Sequence, residues 1–132
     1  MVARLKSMKA GYLVPLTGAA LLAVGGCGRK ADVESQLSEL TNSFPSATAT
    51  NAQQTDAAGY VNVALAAVRQ NDYAGGVVAL QTIQRMPNMT AEQLRAVQDT
   101  IQTLNADLVT RAANGDLKAK ADLDAIERTR SQ

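Results

Sequence analysis

The sequence predicts an all-α protein, a small helical bundle that follows an N-terminal signal and a linker. Three observations support this fold class. Apolar residues recur at spacings of three and four along most of the chain after residue 31, which is the period of one helix face. Residue types that cap or end helices stand between these periodic segments. No segment combines strand-like alternation of apolar and polar residues with turn residues at its ends.

The first 27 residues have the three-part layout of a secretory signal. Residues 1–10 carry three basic side chains and no acid, and residues 11–24 carry no charge. Gly25, Gly26 and Cys27 then follow, and small residues of this kind are typical of a cleavage site. The apolar stretch has 14 residues, fewer than the ~20 that a membrane-spanning helix needs. The pattern therefore predicts export and removal of residues 1–26.

The ending Val24-Gly25-Gly26-Cys27 resembles the lipobox of bacterial lipoproteins. The resemblance implies cleavage between Gly26 and Cys27, a diacylglycerol on the Cys27 sulfur, and an acyl chain such as palmitate on the new amino group. Cys27 is the only cysteine, and an unpaired thiol in an oxidising compartment otherwise calls for an explanation. Two or three acyl chains hold a protein stably on a bilayer, so we expect an anchored protein. The alternative is an ordinary secreted protein whose signal ends near a free cysteine.

The residues after the cysteine bear on location. Gly28, rather than an aspartate, follows Cys27. By resemblance to Gram-negative lipoproteins, this implies transport to the outer membrane, where the chain faces the periplasm. Residues 28–31 are interpreted as a short spacer, whose Arg29 and Lys30 lie either beside an anionic lipid surface or simply in solvent.

The composition of the chain after residue 26 argues against several functions. The signal takes three of the 13 basic residues and none of the 12 acidic ones, so 10 basic residues remain against 12 acidic residues. No basic stripe with interleaved aromatic residues is present, which argues against nucleic-acid binding. The chain has no histidine, and so no imidazole base or imidazole metal ligand. We therefore expect a protein that is not an enzyme, with no metal and no cofactor beyond the lipid on Cys27.

The first part of the exported chain is predicted to be a lipidated cysteine, a short amphipathic helix and a polar linker over residues 27–55. Val33, Leu37 and Leu40 lie on one face of a helix at 32–42, and Phe44 extends that face. Residues 43–55 are polar and aperiodic. The predicted α-helical domain then covers residues 56–132.

A helical hairpin is predicted at 56–86, with a break at Asn71-Asp72. Residues 57–88 weakly resemble a single tetratricopeptide unit, in which Tyr60 would fill the large position of the first helix and small residues stand at Ala64 and Gly76, where two helices approach closely. Ile83 departs from that pattern because a small residue is usual there. The resemblance implies a hairpin packed on the next helix rather than a repeat protein.

A long helix at 90–113 is the best-marked element. Thr90 and Gln93 form a capping box, and the apolar residues that follow recur at spacings of three and four. These residues form a seam made of Leu94, Val97, Ile101, Leu104 and Leu108. Two interpretations remain open, namely ordinary packing within the bundle and a seam that binds a partner helix or a second copy.

The C-terminal helix is predicted to begin at Asp116 and to run to residue 130. Lys118–Asp122 and Asp124–Arg128 are i, i+4 pairs that support an exposed helix. Asp122 and Asp124 are the nearest thing to a pair of catalytic carboxylates, as a glycan hydrolase would need. They are spaced i, i+2 and so point apart on a helix, which favours a solvated face instead.

These patterns favour a membrane-anchored envelope lipoprotein whose helical domain binds another protein and does no catalysis. A groove beside the hairpin, or the Leu94-to-Leu108 seam, would receive a partner helix. The alternative is a passive structural lipoprotein of the outer membrane, which self-associates through the seam or simply coats the leaflet.

Overall fold

The computed structural model describes residues 28–45 and 52–132 and contains five α-helices. In chain order they are α1 (Gly28–Ser43), α2 (Ala52–Arg69), α3 (Tyr73–Gln84), α4 (Ala91–Ala113) and α5 (Leu117–Arg130). The described residues include no strand, and the predicted all-α bundle is confirmed. Residues 1–27, with the predicted signal and Cys27, lie outside the described residues, as do residues 46–51 of the predicted linker.

Three helices, α3, α4 and α5, begin directly after a residue whose side chain caps them. The Thr90 hydroxyl accepts from the Gln93 amide at 3.1 Å, and the Gln93 side chain accepts from the Thr90 amide at 3.1 Å, which confirms the capping box. Asp72 and Asp116 cap α3 and α5 in the same manner by accepting from amides three residues ahead. These three caps agree with the helix starts that the sequence predicts.

Two helix starts differ from the prediction. α1 begins at Gly28, so the four residues interpreted as a spacer belong to the helix. α2 begins at Ala52, inside the segment interpreted as a polar linker. Small and polar residues extend a helix readily when the adjoining turns are packed, and here the apolar faces of both helices are buried.

The bundle has two ends that the contacts define. At one end the Tyr73 ring lies 4.9 Å from the Arg111 guanidinium, and the start of α1 lies beside the last turns of α4. At the other end the Gln93 side chain donates to the Ser43 carbonyl at 3.2 Å, so α1 and α4 are antiparallel. The proximal end therefore comprises the first turn of α1 and the turns at 70–72 and 114–116. The distal end comprises the end of α1 and the turn at 85–90.

One core holds all five helices together. α4 contacts α1, α3 and α5, while α2 packs mainly on α3. Every helix contributes buried apolar side chains to a single cluster, among them Leu40 of α1, Val61 of α2, Leu80 of α3, Leu108 of α4 and Ile126 of α5. The boundary that we predicted between residues 55 and 56 therefore divides residues that share one core, because α1 lies against α4.

The predicted seam on α4 is part of that core. Val97, Leu104 and Leu108 are fully buried and Ile101 is almost so, whereas Leu94 is 36% exposed. Four of the five seam residues are thus covered within the chain, and the interpretation of this seam as a partner surface is wrong for them. A small alanine-rich domain has few large side chains, so its own core requires this stripe.

The hairpin of α2 and α3 is closely packed around Gly76, as predicted. A Cβ at Gly76 would lie 2.9 Å from the Val68 Cγ2 atom and 3.5 Å from the Ala64 carbonyl oxygen. The neighbouring glycine has a different role, because the Asp72 cap occupies the space beside Gly75. The close approach of the two helices thus explains Gly76 alone.

The core position of the seam can be tested with two identical substitutions on one helix. We expect Leu104→Ala to lower the free energy of unfolding by about 2–5 kcal/mol, because it leaves a cavity in a packed core. Leu94→Ala removes the same atoms from a site that is already partly in water, and should cost much less. Denaturant unfolding followed by circular dichroism measures both. Equal losses for the two variants would contradict the buried position of Leu104.

Candidate functional site

An open groove runs along the outer face of the first half of α2. It has a volume of about 550 Å³ and lies between α2 and the turn after α3. We call it the α2 groove; its lining residues are Thr55, Asp56, Gly59, Tyr60, Val63 and Met86. It lies beside the hairpin, where the sequence favoured a partner site, and towards the distal end of the bundle.

The walls of the α2 groove carry apolar surface that the chain does not bury. Val63 is 55% exposed and Tyr60 is 38% exposed, although both lie on a helix whose other apolar side chains are mostly buried. Met86 is partly buried at the far side of the groove. Exposed apolar side chains around a concave surface are typical of protein-binding sites.

Gly59 forms the floor between these side chains. A glycine inside a helix costs about 1 kcal/mol relative to alanine. Among the described residues, no heavy atom of a neighbouring element lies within 4 Å of the position that a Cβ at Gly59 would take, so packing within this part of the chain does not explain the residue. The open space permits another backbone to approach α2 closely, as Gly76 permits within the hairpin.

Sequence reasoning placed Tyr60 differently. The tetratricopeptide resemblance implied that it fills a large position in the packed hairpin, whereas the structure leaves part of its ring in the α2 groove. The local sequence from Asp56 to Val63 could have indicated the groove. Gly59 and Val63 are spaced i, i+4 and so share a face, and that face lies beside the stripe that buries Ala57, Val61 and Ala64.

A charged cluster at the proximal end was also missed from the sequence. Arg111 donates to one oxygen of Asp116 at 2.7 and 2.9 Å and lies 3.6 Å from Asp107. The Arg111 guanidinium also lies over the Tyr73 ring. The cluster of Tyr73, Asp107, Arg111 and Asp116 thus joins the start of α3, the end of α4 and the start of α5.

The charges in this cluster are stable near neutral pH. Burial, and next the negative charge of Asp107, raises the pKa of Tyr73, so its hydroxyl stays neutral. The hydrogen bond from the Ala119 amide, and next that from Arg111, lowers the pKa of Asp116, so its carboxyl stays ionised. Burial, the largest single effect, lowers the pKa of Arg111, but its hydrogen bond to Asp116 and the electrostatic attraction of its neighbours together outweigh burial, and the pKa is raised. The cluster thus pairs its charges internally and holds α3, α4 and α5 together.

The two carboxylates that we weighed as a catalytic pair are not brought together. Asp122 is only 6% exposed and accepts from the Lys118 ammonium at 2.9 and 3.1 Å, which confirms that i, i+4 pair and corrects the expected solvated position of Asp122. Asp124 is exposed. Arg128 donates to the backbone carbonyl of Asp124 at 3.1 Å, rather than pairing with its carboxylate as we predicted.

Neither a metal-binding group of side chains nor a membrane-spanning helix is present within residues 28–45 and 52–132. This part of the chain holds no group of three or more His, Cys, Asp or Glu side chains arranged to bind a metal ion. None of its helices combines the length and apolar character needed to cross a bilayer.

The Arg111–Asp116 pair predicts a loss of stability in acid. Because the pKa of Asp116 is lowered by folding, its contribution is fully present above the unfolded value of about 3.9 and is lost as the pH falls through the folded value. We expect Asp116→Asn to lower the melting temperature at pH 7, with a much smaller difference from the wild type at pH 3.

The matched control is Asp124→Asn, on the same helix with an exposed side chain. Its melting temperature should follow that of the wild type at both pH values. Thermal unfolding scans at pH 7 and pH 3 measure all three proteins. If Asp116→Asn lowers the melting temperature by the same amount at pH 3 as at pH 7, the ion pair is not the source of that loss.

Comparisons with protein-family models, curated proteins and solved structures gave no significant match.

Proposed function

We propose that the protein is a lipid-anchored lipoprotein of the bacterial envelope whose helical bundle binds a partner protein and does no catalysis. The observation that carries the proposal is the lipobox-like ending Val24 to Cys27 after a basic and then apolar segment. The α2 groove supports the binding part, since it offers exposed apolar side chains in a concave surface. The outer membrane, on its periplasmic side, is the proposed location because Gly28 rather than aspartate follows Cys27.

The occupant that suits the α2 groove is an amphipathic helix. Tyr60, Val63 and Met86 offer apolar contacts on both sides of Gly59, and a small residue of the partner would face that glycine. Asp56 at the rim is exposed and favours a basic residue on the partner helix. The lipid anchor raises the local concentration of the groove at the membrane, so that a partner binds there even when its affinity is low.

The second function considered was a passive lipoprotein that self-associates through the α4 seam. Four of the five seam residues are buried within the chain, so self-association would need to use another surface. This observation argues against the self-associating form of that function.

The proposal is tested by photo-crosslinking in living cells from two equally exposed valines. Val63 lies in the α2 groove and is 55% exposed, whereas Val109 is 56% exposed on α4 outside it. With a photoreactive residue at each position in turn, we expect one protein to crosslink at position 63 and not at 109. Gly59→Gln should abolish that crosslink because its side chain fills the floor of the groove, and circular dichroism checks that the fold is kept.

The anchor is tested in the same cells by Cys27→Ser. Mass spectrometry of the wild type should show an amino-terminal cysteine that carries diacylglycerol, and the wild type should fractionate with the outer membrane. The serine variant should lose both the lipid and most of the crosslink from position 63. An unmodified cysteine on the exported wild type would overturn the anchor, and identical crosslinks from positions 63 and 109 would overturn the groove.

A further inference from the structure

The position of α1 limits how the bundle can sit on a membrane. α1 begins at Gly28, directly after Cys27, and one residue spans less than about 4 Å. A lipid on Cys27 therefore leaves no length of chain that could hold the bundle away from the surface. α1 is itself held against α4 through buried Val33, Leu37 and Leu40, so it cannot swing free without exposing them.

The same geometry determines which part of the bundle lies nearest the lipid. The first turn of α1 shares the proximal end with the turns at 70–72 and 114–116. The Arg111 cluster fastens these turns to one another, since Tyr73 follows the first turn and Asp116 ends the second. The turns at 70–72 and 114–116 are thus held together as one surface of the proximal end.

Basic residues concentrate at this surface. Residues 28–32, 66–76 and 110–120, together with Asp107 and Asp122 that pair with Arg111 and Lys118, hold six basic and five acidic residues, whereas the rest of the chain after Cys27 holds four basic and seven acidic ones. The basic residues of the proximal end are Arg29, Lys30, Arg69, Arg111, Lys118 and Lys120. Arg111 and Lys118 are paired with aspartates. Lys30, Arg69 and Lys120 are exposed, and no acid of the described segments lies within ion-pair distance of them.

An exposed leucine stands among these cations. Leu117 is the first residue of α5 and is 76% exposed, the largest exposed fraction of any large apolar side chain in the described segments. Lys118 and Lys120 flank it on the same turn. A leucine beside long basic side chains is an arrangement typical of an interfacial contact, in which the leucine enters the acyl boundary and the ammonium groups stay among the headgroups.

We propose that the proximal end of the bundle rests on an anionic lipid surface, with Lys30, Arg69 and Lys120 facing the headgroups and Leu117 inserted between them. This proposal rests on the lipid anchor proposed for Cys27. It adds a fixed orientation, in which the long axis of the bundle stands away from the membrane and the α2 groove, with Asp56 and Met86 near the distal end, faces the partner.

The orientation is tested with the full lipidated protein. A lipid thioether would consume the Cys27 sulfur, so a cysteine introduced by Leu117→Cys or Asn88→Cys supplies the one reactive thiol for a fluorescent probe. Both positions are exposed, and they lie at the proximal and distal ends respectively. In vesicles of phosphatidylethanolamine and phosphatidylglycerol with a headgroup spin label, we expect quenching at position 117 to be several-fold stronger than at 88.

The contribution of the proximal cations is tested with two matched double variants, each made in the Leu117→Cys protein. Arg69→Gln with Lys120→Gln should reduce the quenching, as should replacing phosphatidylglycerol by phosphatidylcholine. Arg85→Gln with Arg128→Gln removes two exposed cations of the distal end and should leave the quenching unchanged.

The outcomes separate the two proposals. Equal quenching at positions 117 and 88, in protein whose mass shows lipid on Cys27, would overturn the orientation and leave the anchor in place. Equal reduction by both double variants would overturn the headgroup contact of Arg69 and Lys120. A mass that shows no lipid on Cys27 would overturn the anchor and the orientation with it.

Discussion

The structure depends on the burial of one apolar stripe of α4 beneath its neighbouring helices. The chain after the signal has few large apolar side chains, and alanine contributes little burial per residue. Val97, Leu104 and Leu108 are therefore used to hold α1, α3 and α5 together rather than to bind another molecule. The same requirement makes α1 an integral part of the fold, since Leu37 and Leu40 cover the stripe from one side.

This packing would couple a lipid on Cys27 to the whole bundle. If α1 were a loose tether, a lipid on Cys27 would fix only the distance of the domain from the membrane. Because α1 is packed antiparallel to α4, the same lipid would also set which end faces the bilayer. The distribution of charge agrees with this division, since cations collect at the proximal end and acids predominate in the rest of the chain after Cys27. The exposed apolar residues of the α2 groove lie towards the other end.

Local features were predicted well from the sequence, and contacts between distant segments were not. The capping box at Thr90 and the Lys118–Asp122 pair depend on residues three or four apart, and both were predicted. The Arg111 cluster joins Tyr73 to residues nearly 40 positions away, so no local spacing in the sequence indicates it. The α2 groove was missed for a related reason, because the exposed side of Tyr60 depends on where α3 and the following turn pack. The burial of the seam beneath α1 was missed for the same reason, because a polar segment separates α1 from the other helices in the sequence.

The most direct test of this account is amide hydrogen exchange of the lipid-anchored protein, resolved by helix. If α1 belongs to the cooperative core, the amides of Leu37 to Thr41 should exchange as slowly as those of Val97 to Leu108, since both sets open only with the whole bundle. Fast exchange across α1, with α4 still protected, would contradict the account, because it would make α1 a flexible tether.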